Sequence, residues 1–198
     1  MDIIRSVKLV PNSALTTPIV TVAEAKKHAV IEHDVDDSYI EELIAVASEH
    51  VQYLTRRQLL TASYIMYLSQ FPNDDLELPY GNLQSIDSVN YKNTENINTV
   101  VDADVYDVDT DSDPGVLSRN IDAGWPVYKY SRAPVWVQFT CGWTSPSLVP
   151  RKLKLAIKML VATWYNKRED TAVVKHLEVP HGVISLITEY KLQGWGYD

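Results

Sequence analysis

The sequence predicts an α+β fold: a helical bundle of two N-terminal and two C-terminal helices, interrupted by an antiparallel β-meander or small-barrel insertion. Three observations support this. Apolar residues recur at three- and four-residue steps near both ends, the middle of the chain switches to period two, and turn residues punctuate that middle at short intervals. With 198 residues, 45% of them hydrophobic, the chain can bury a core of ordinary size. No internal repeat or low-complexity linker interrupts it. It therefore reads as a single domain over residues 1–198: N-terminal helices within 1–61, a β insertion at 62–149, C-terminal helices at 150–192 and a flexible tail at 193–198.

Thr21 is placed to cap a short helix over residues 22–29, and Glu24 completes the capping-box pattern. The run His33-Asp34-Val35-Asp36-Asp37 turns the chain toward a second helix over 38–55. Along it Tyr39, Ile40, Leu43, Ile44, Ala47, Val51 and Leu54 form one apolar stripe. Acidic residues crowd its first half and Arg56 and Arg57 stand just past its end, the order that the helix dipole favours. In the middle zone, residues 62–69, 83–91, 105–109 and 134–141 read as strands. Pro72-Asn73-Asp74, Pro79-Tyr80-Gly81 and Asp113-Pro114-Gly115 supply the turns. Pro150 suits a helix start, and Leu153, Ala156, Ile157, Leu160, Val161 and Trp164 mark the buried face of a helix to about residue 166. Arg151, Lys152, Lys154 and Lys158 form much of its other side. Pro180 opens a shorter helix over 183–192, and Gly194 and Gly196 loosen the C-terminal tail.

The net charge of −8 is uneven: −3 over residues 1–61, −8 over 62–149 and +3 over 150–198. An acidic total argues against a protein that grips DNA by its phosphates, since that affinity comes from clustered Lys and Arg. It is compatible with an acidic channel wall past which DNA slides. Cys141 is the only cysteine, so no internal disulfide and no cysteine-rich zinc site can form. No stretch has the make-up of a signal peptide or of a membrane span, which points to a soluble protein synthesised in the cytoplasm.

A search for chemistry returns one tempting segment. Asp102, Asp104, Asp107, Asp109, Asp111 and Asp113 alternate like calcium-loop ligands. Counted from Asp107, however, Ser112 falls where glycine is needed and Ser118 where a bidentate Glu belongs. Counted from Asp109, Pro114 takes the glycine position. The plainer reading is an acidic hairpin whose charge discourages edge pairing. A metal- or carbohydrate-binding module using this loop stays open as an alternative. His28, His33, His50, His176 and His181 show no metalloprotease spacing. No nucleophile elbow, phosphate loop or dinucleotide fingerprint occurs among seven glycines. The expectation is no catalytic residue, no cofactor and no metal. Trp125, Trp136, Trp143 and Trp164 are expected to fill the junction between insertion and helices. Trp195 and Tyr197 sit in the glycine-flanked tail, where docking onto another chain or back onto their own domain would use them.

Several segments, in order, resemble the head–tail connector (adaptor) proteins of tailed phages and prophages, in the long form with a β insertion. They begin with Val20-Thr21-Val22-Ala23-Glu24-Ala25-Lys26, then Asp36-Asp37 with Ile40, Leu43 and Ile44, then Thr55-Arg56-Arg57. Next come Leu76-Glu77-Leu78-Pro79, Ser85-Ile86 with Ser88-Val89 and Tyr91, and residues 106–115. Trp125-Pro126, Cys141-Gly142-Trp143, Val149-Pro150 and Trp164-Tyr165 with Arg168-Glu169 complete the pattern, so that it covers roughly residues 19–192. The resemblance implies a structural virion protein at the head–tail junction. It would form a ring, of twelve subunits in the particle, beneath the portal, extending the DNA channel and carrying stopper or tail proteins. It would place Leu192, Trp195 and Tyr197 at the portal contact. A stopper or tail-completion protein of the neck is the rival reading.

A ring needs two different complementary faces on each subunit. The charge asymmetry suggests Asp36, Asp37, Glu41 and Glu42 on one copy against Arg151, Lys152, Lys154 and Lys158 on the next.

Overall fold

Alternating burial along two strands organises the β-rich part of the chain. The computed structural model describes residues 3–14, 16–167 and 179–193. It divides into two compact units, one of Met1–Leu15 with Leu60–Gly142, the other of Thr16–Leu59 with Trp143–Asp198.

In the first unit the strands are β1 (Ile4–Leu9), β2 (Ala62–Leu68), β3 (Leu76–Glu77), β4 (Leu83–Lys92), β5 (Asn98–Val100), β6 (Tyr106–Asp109), β7 (Val116–Arg119) and β8 (Val135–Cys141). They form a five-stranded sheet in the order β1-β2-β8-β4-β5 and a three-stranded sheet in the order β3-β7-β6. All pairings are antiparallel. The expected strands appear within a residue or two of their expected ends. The order is not that of a simple meander, because β8 returns to lie between β2 and β4.

Both β2 and β8 bury every second residue, so the register sets apolar opposite apolar: Ala62 faces Cys141, Tyr64 faces Phe139, Met66 faces Val137 and Leu68 faces Val135. Cross-strand pairs of this kind are what stabilise a sheet, each by about 0.2–1 kcal/mol. The strand β1 lies within residues 1–61, where the sequence points only to helices. It has polar Arg5, Ser6 and Lys8 in six residues, so its half-buried alternation is faint in sequence.

In the second unit the helices are α1 (Val22–Ala29), α2 (Asp37–Thr55), α3 (Arg151–Asn166) and α4 (His181–Ile187). The cap of α1 is formed as its sequence requires: the Glu24 N–H donates to Thr21 Oγ1 at 3.2 Å, and the Thr21 N–H donates to Glu24 Oε2 at 2.9 Å. Ile40, Ile44, Ala47, Val51 and Thr55 are buried along α2, and Leu153, Ala156, Ile157, Leu160, Val161 and Trp164 along α3. These two stripes pack on each other, and α1 and α4 pack on α3. Pro150 stands at the cap position just before α3. The last helix is shorter than expected and passes into a 3-10 turn, Thr188–Tyr190. That break lets the Leu192 N–H donate to Thr55 O at 3.0 Å and buries the Leu192 side chain.

Candidate functional site

In the helical unit the charged residues singled out by sequence are largely engaged within the chain. Asp36, at the start of α2, accepts a hydrogen bond from the Tyr165 hydroxyl of α3 at 2.7 Å. Asp37 accepts one from Lys26 Nζ of α1 at 2.8 Å, and Lys26 also pairs with Asp34. The two carboxylates hold the Lys26 ammonium more strongly protonated than usual, and the Lys26 hydrogen bond holds Asp34 below the usual carboxylate range. On α3, Lys152 pairs with Glu189 at 2.6 Å; both side chains are half exposed, so solvent screens the attraction and the pair is weak. The Thr21 backbone N–H holds the Glu24 carboxyl below its usual range, and the positive charges of Lys158 and Lys154 add to this. Thus Lys154 and Lys158 already face an acid from α1. Glu41, Glu42 and Arg151 remain exposed on the helix surfaces.

Of the residues expected at a partner contact, Leu192 is 3% exposed and belongs to the core of its own unit, so its side chain offers little surface. Trp195 and Tyr197 lie outside the described residues. A pair inside the bundle, His50 on α2 and Trp164 on α3, has no signal in the sequence. Their rings meet edge-on with centroids 5.9 Å apart, and His50 Nε2 and Trp164 Nε1 are both buried with no hydrogen-bond partner among the described residues. Burial pulls the His50 imidazole below its ordinary value, because it disfavours the charged form.

In the β unit the Asp-rich segment builds a turn. Asp109 Oδ1 accepts the N–H of Asp111 at 2.8 Å and of Ser112 at 3.1 Å, and its other oxygen accepts the Ser112 hydroxyl. These donors hold the Asp109 carboxyl below the usual range and close the β6–β7 hairpin at the expected place. Among the described residues, no group of three or more His, Cys, Asp or Glu side chains is placed to hold a metal ion. His28 lies on α1, His33 between α1 and α2 and His181 at the start of α4, and His176 lies outside the described residues. Cys141 is fully buried, and burial pushes its thiol up to about 12.

The same unit carries an aromatic cluster. Phe71 stacks on Trp125 with centroids 4.7 Å apart and planes 6° from parallel, while Tyr128 meets Phe71 edge-on at 5.5 Å. Trp125 Nε1 donates to Pro72 O at 2.8 Å. An open cleft of about 480 Å³ runs along Phe71, Trp125, Val127 and Tyr128. Beside it in sequence, Ile121, Val127 and Tyr130 are 88%, 78% and 90% exposed. Trp125 was expected at the junction of insertion and helices; its partner within the β unit, Phe71, 54 positions earlier, carried no sequence signal.

A family model described as "Head completion protein" (HCP) matches residues 18–176. No curated protein sequence matches the chain. Among solved structures, the fold is similar to a chain of the "Neck of empty GTA particle computed with C6 symmetry". That match has TM-score 0.72 at 21% identity, covering 98% of this chain and 99% of that one. A chain of the "Virion of native gene transfer agent (GTA) particle" matches with the same values. A chain of the "Neck of native GTA particle computed with C12 symmetry" matches with TM-score 0.67 and 22% identity, over 100% of this chain and 99% of that one. With the family model spanning most of its length, this chain belongs to the head completion protein family.

Proposed function

We propose that the chain is a structural, non-catalytic subunit of the neck of a tailed-phage-like particle, an adaptor that joins the capsid to the tail. The family match over residues 18–176 carries this reading. Its full-length likeness to chains of a particle neck solved with six-fold and twelve-fold symmetry supports a ring, and we take that ring to be dodecameric. In this reading the ring sits under the portal protein, extends the DNA channel and carries stopper or tail proteins. The net charge of −8 suits a wall that DNA passes without sticking.

The contacts within that ring depend on which surfaces stay available. Leu192, buried in its own unit, anchors the root of the C-terminal tail. Trp195 and Tyr197 beyond it are the proposed portal contact. Of the charged residues, Glu41, Glu42 and Arg151 are exposed for a neighbouring subunit, whereas Asp36, Asp37 and Lys152 are committed to partners in the same chain.

The test is the molar mass of the purified full chain by light scattering, alone and mixed with its portal protein. A ring, or a monomer that joins the portal stoichiometrically, is expected. A chain that ignores the portal but binds tail protein would mark a stopper or tail-completion protein instead.

A further inference from the structure

The two sheets of the β unit end on edges of opposite charge. In the five-stranded sheet β1 is terminal, and in the three-stranded sheet β6 is terminal. An edge strand presents unpaired N–H and C=O groups, and natural proteins blunt such edges or use them for pairing with another chain. The Val10 N–H donates inward to Ser63 O at 2.9 Å, so by the antiparallel alternation Val7 and Leu9 turn their N–H and C=O away from β2. Likewise Val105 O accepts inward from the Asn120 N–H at 3.0 Å, which turns those of Tyr106 and Val108 away from β7. Each edge thus offers two outward residues at the same spacing.

The side chains around them differ in sign. Arg5 and Lys8 are exposed on β1, and Arg5 falls at an irregularity in the register between Ile4 and Ser6. Asp104, just before β6, and Asp107 on it are exposed, and neither lies in an ion pair found among the described residues. Apolar side chains accompany both edges, with Leu9 48% and Val108 39% exposed.

We propose that β1 of one copy adds to β6 of the next, as a strand-to-strand contact between neighbouring subunits of the ring; the contact rests on the ring proposed as this chain's function. Like edges repel, basic against basic and acidic against acidic, so a two-fold dimer through either edge is disfavoured. Unlike edges attract, and a contact between two different surfaces of the same chain is the heterologous kind that closes a ring. Charge therefore selects head-to-tail assembly over pairing of identical edges.

Charge reversal in the full chain tests this, read by light scattering at low salt with and without the portal protein. Two variants, Arg5→Glu with Lys8→Glu and Asp104→Lys with Asp107→Lys, alter exposed side chains only. Circular dichroism of each checks that it folds. Loss of the ring in each variant, with its return when all four reversals are combined in one chain, is the expected result. Rings that persist in both variants while the wild type also assembles would overturn the edge contact and leave the ring reading intact. A wild type that never assembles, with or without the portal, would overturn both. As a positional check, Val7→Cys with Val108→Cys should give an intermolecular disulfide ladder under oxidation, since the one native cysteine is buried. Absence of that ladder from assembled rings would also overturn the contact.

Discussion

Gly142 closes the strand β8 where no side chain fits, and replacing it with alanine puts a number on that constraint. Its φ is +99°, a region that L side chains rarely adopt. A Cβ built there would stand 2.6 Å from Leu60 O and 2.7 Å from Leu60 C, both backbone atoms that no rotamer change can move. The backbone conformation costs about 1–2 kcal/mol for a non-glycine residue, and forcing the clash apart costs about 1–3 kcal/mol more. Two hydrogen bonds hold the glycine in place and resist such movement: its N–H donates to Asn82 O at 3.0 Å, and its carbonyl accepts from Gln84 Nε2 at 2.7 Å. The sum is roughly 2–5 kcal/mol of destabilisation. At about 2–4 °C per kcal/mol for a chain of this size, the melting temperature should fall on the order of 10 °C. Thermal unfolding monitored by circular dichroism measures this, with Gly124→Ala as control because nothing lies within 4 Å of its added Cβ. A Gly142→Ala protein melting within about 1 °C of wild type would refute the reasoning.

Val30 caps α1 at φ 58°, a left-handed position costly for a β-branched residue, and its side chain is 81% exposed. Val30→Gly should therefore stabilise the protein by about 1 kcal/mol, and an unchanged or lower melting temperature would contradict this. Glu24 has a lowered pKa in the folded state, so its contribution is present above the ordinary carboxylate range and is lost as pH falls through the folded value. Glu24→Gln should accordingly melt below wild type at about pH 7, and the gap should close as pH falls through the folded value; a gap that stays constant as the solution is acidified would point away from the charge. Cys141, buried and with its thiol pushed up to about 12, should resist a thiol reagent at about pH 8 until the protein is unfolded, and rapid native labelling would contradict its burial. Calcium at millimolar concentration should leave the melting temperature unchanged, because Asp109 already spends its oxygens on the hairpin turn; a rise would revive the ligand-binding alternative.

Local signals were the legible part of this chain. The capping box at Thr21 and Glu24, the apolar stripes of α2 and α3, and the alternation of β8 each reside in a few neighbouring residues, and each is present in the fold. Features that depend on separation were not legible. The place of β8 between β2 and β4, the pairing of β1 with β2 across some sixty residues, and the stacking of Phe71 on Trp125 are decided by packing between distant segments. The site obeys the same rule. Charge runs were easy to see, but their partners were not: Asp36 with Tyr165, Asp37 with Lys26 and Lys152 with Glu189 come from different elements. Leu192 was expected to end the last helix and, by resemblance, to reach the portal, while the hydrogen bond that ties it down reaches back to Thr55.

The proposed place of this chain in the neck is tested most directly by a cryo-electron-microscopy map of the neck of the particle that carries it. This fold should repeat around the axis as a ring between portal and tail, with unlike strand edges of adjacent copies in register. A neck map in which the chain is absent, or in which it occupies the tail side without touching the portal, would contradict that placement.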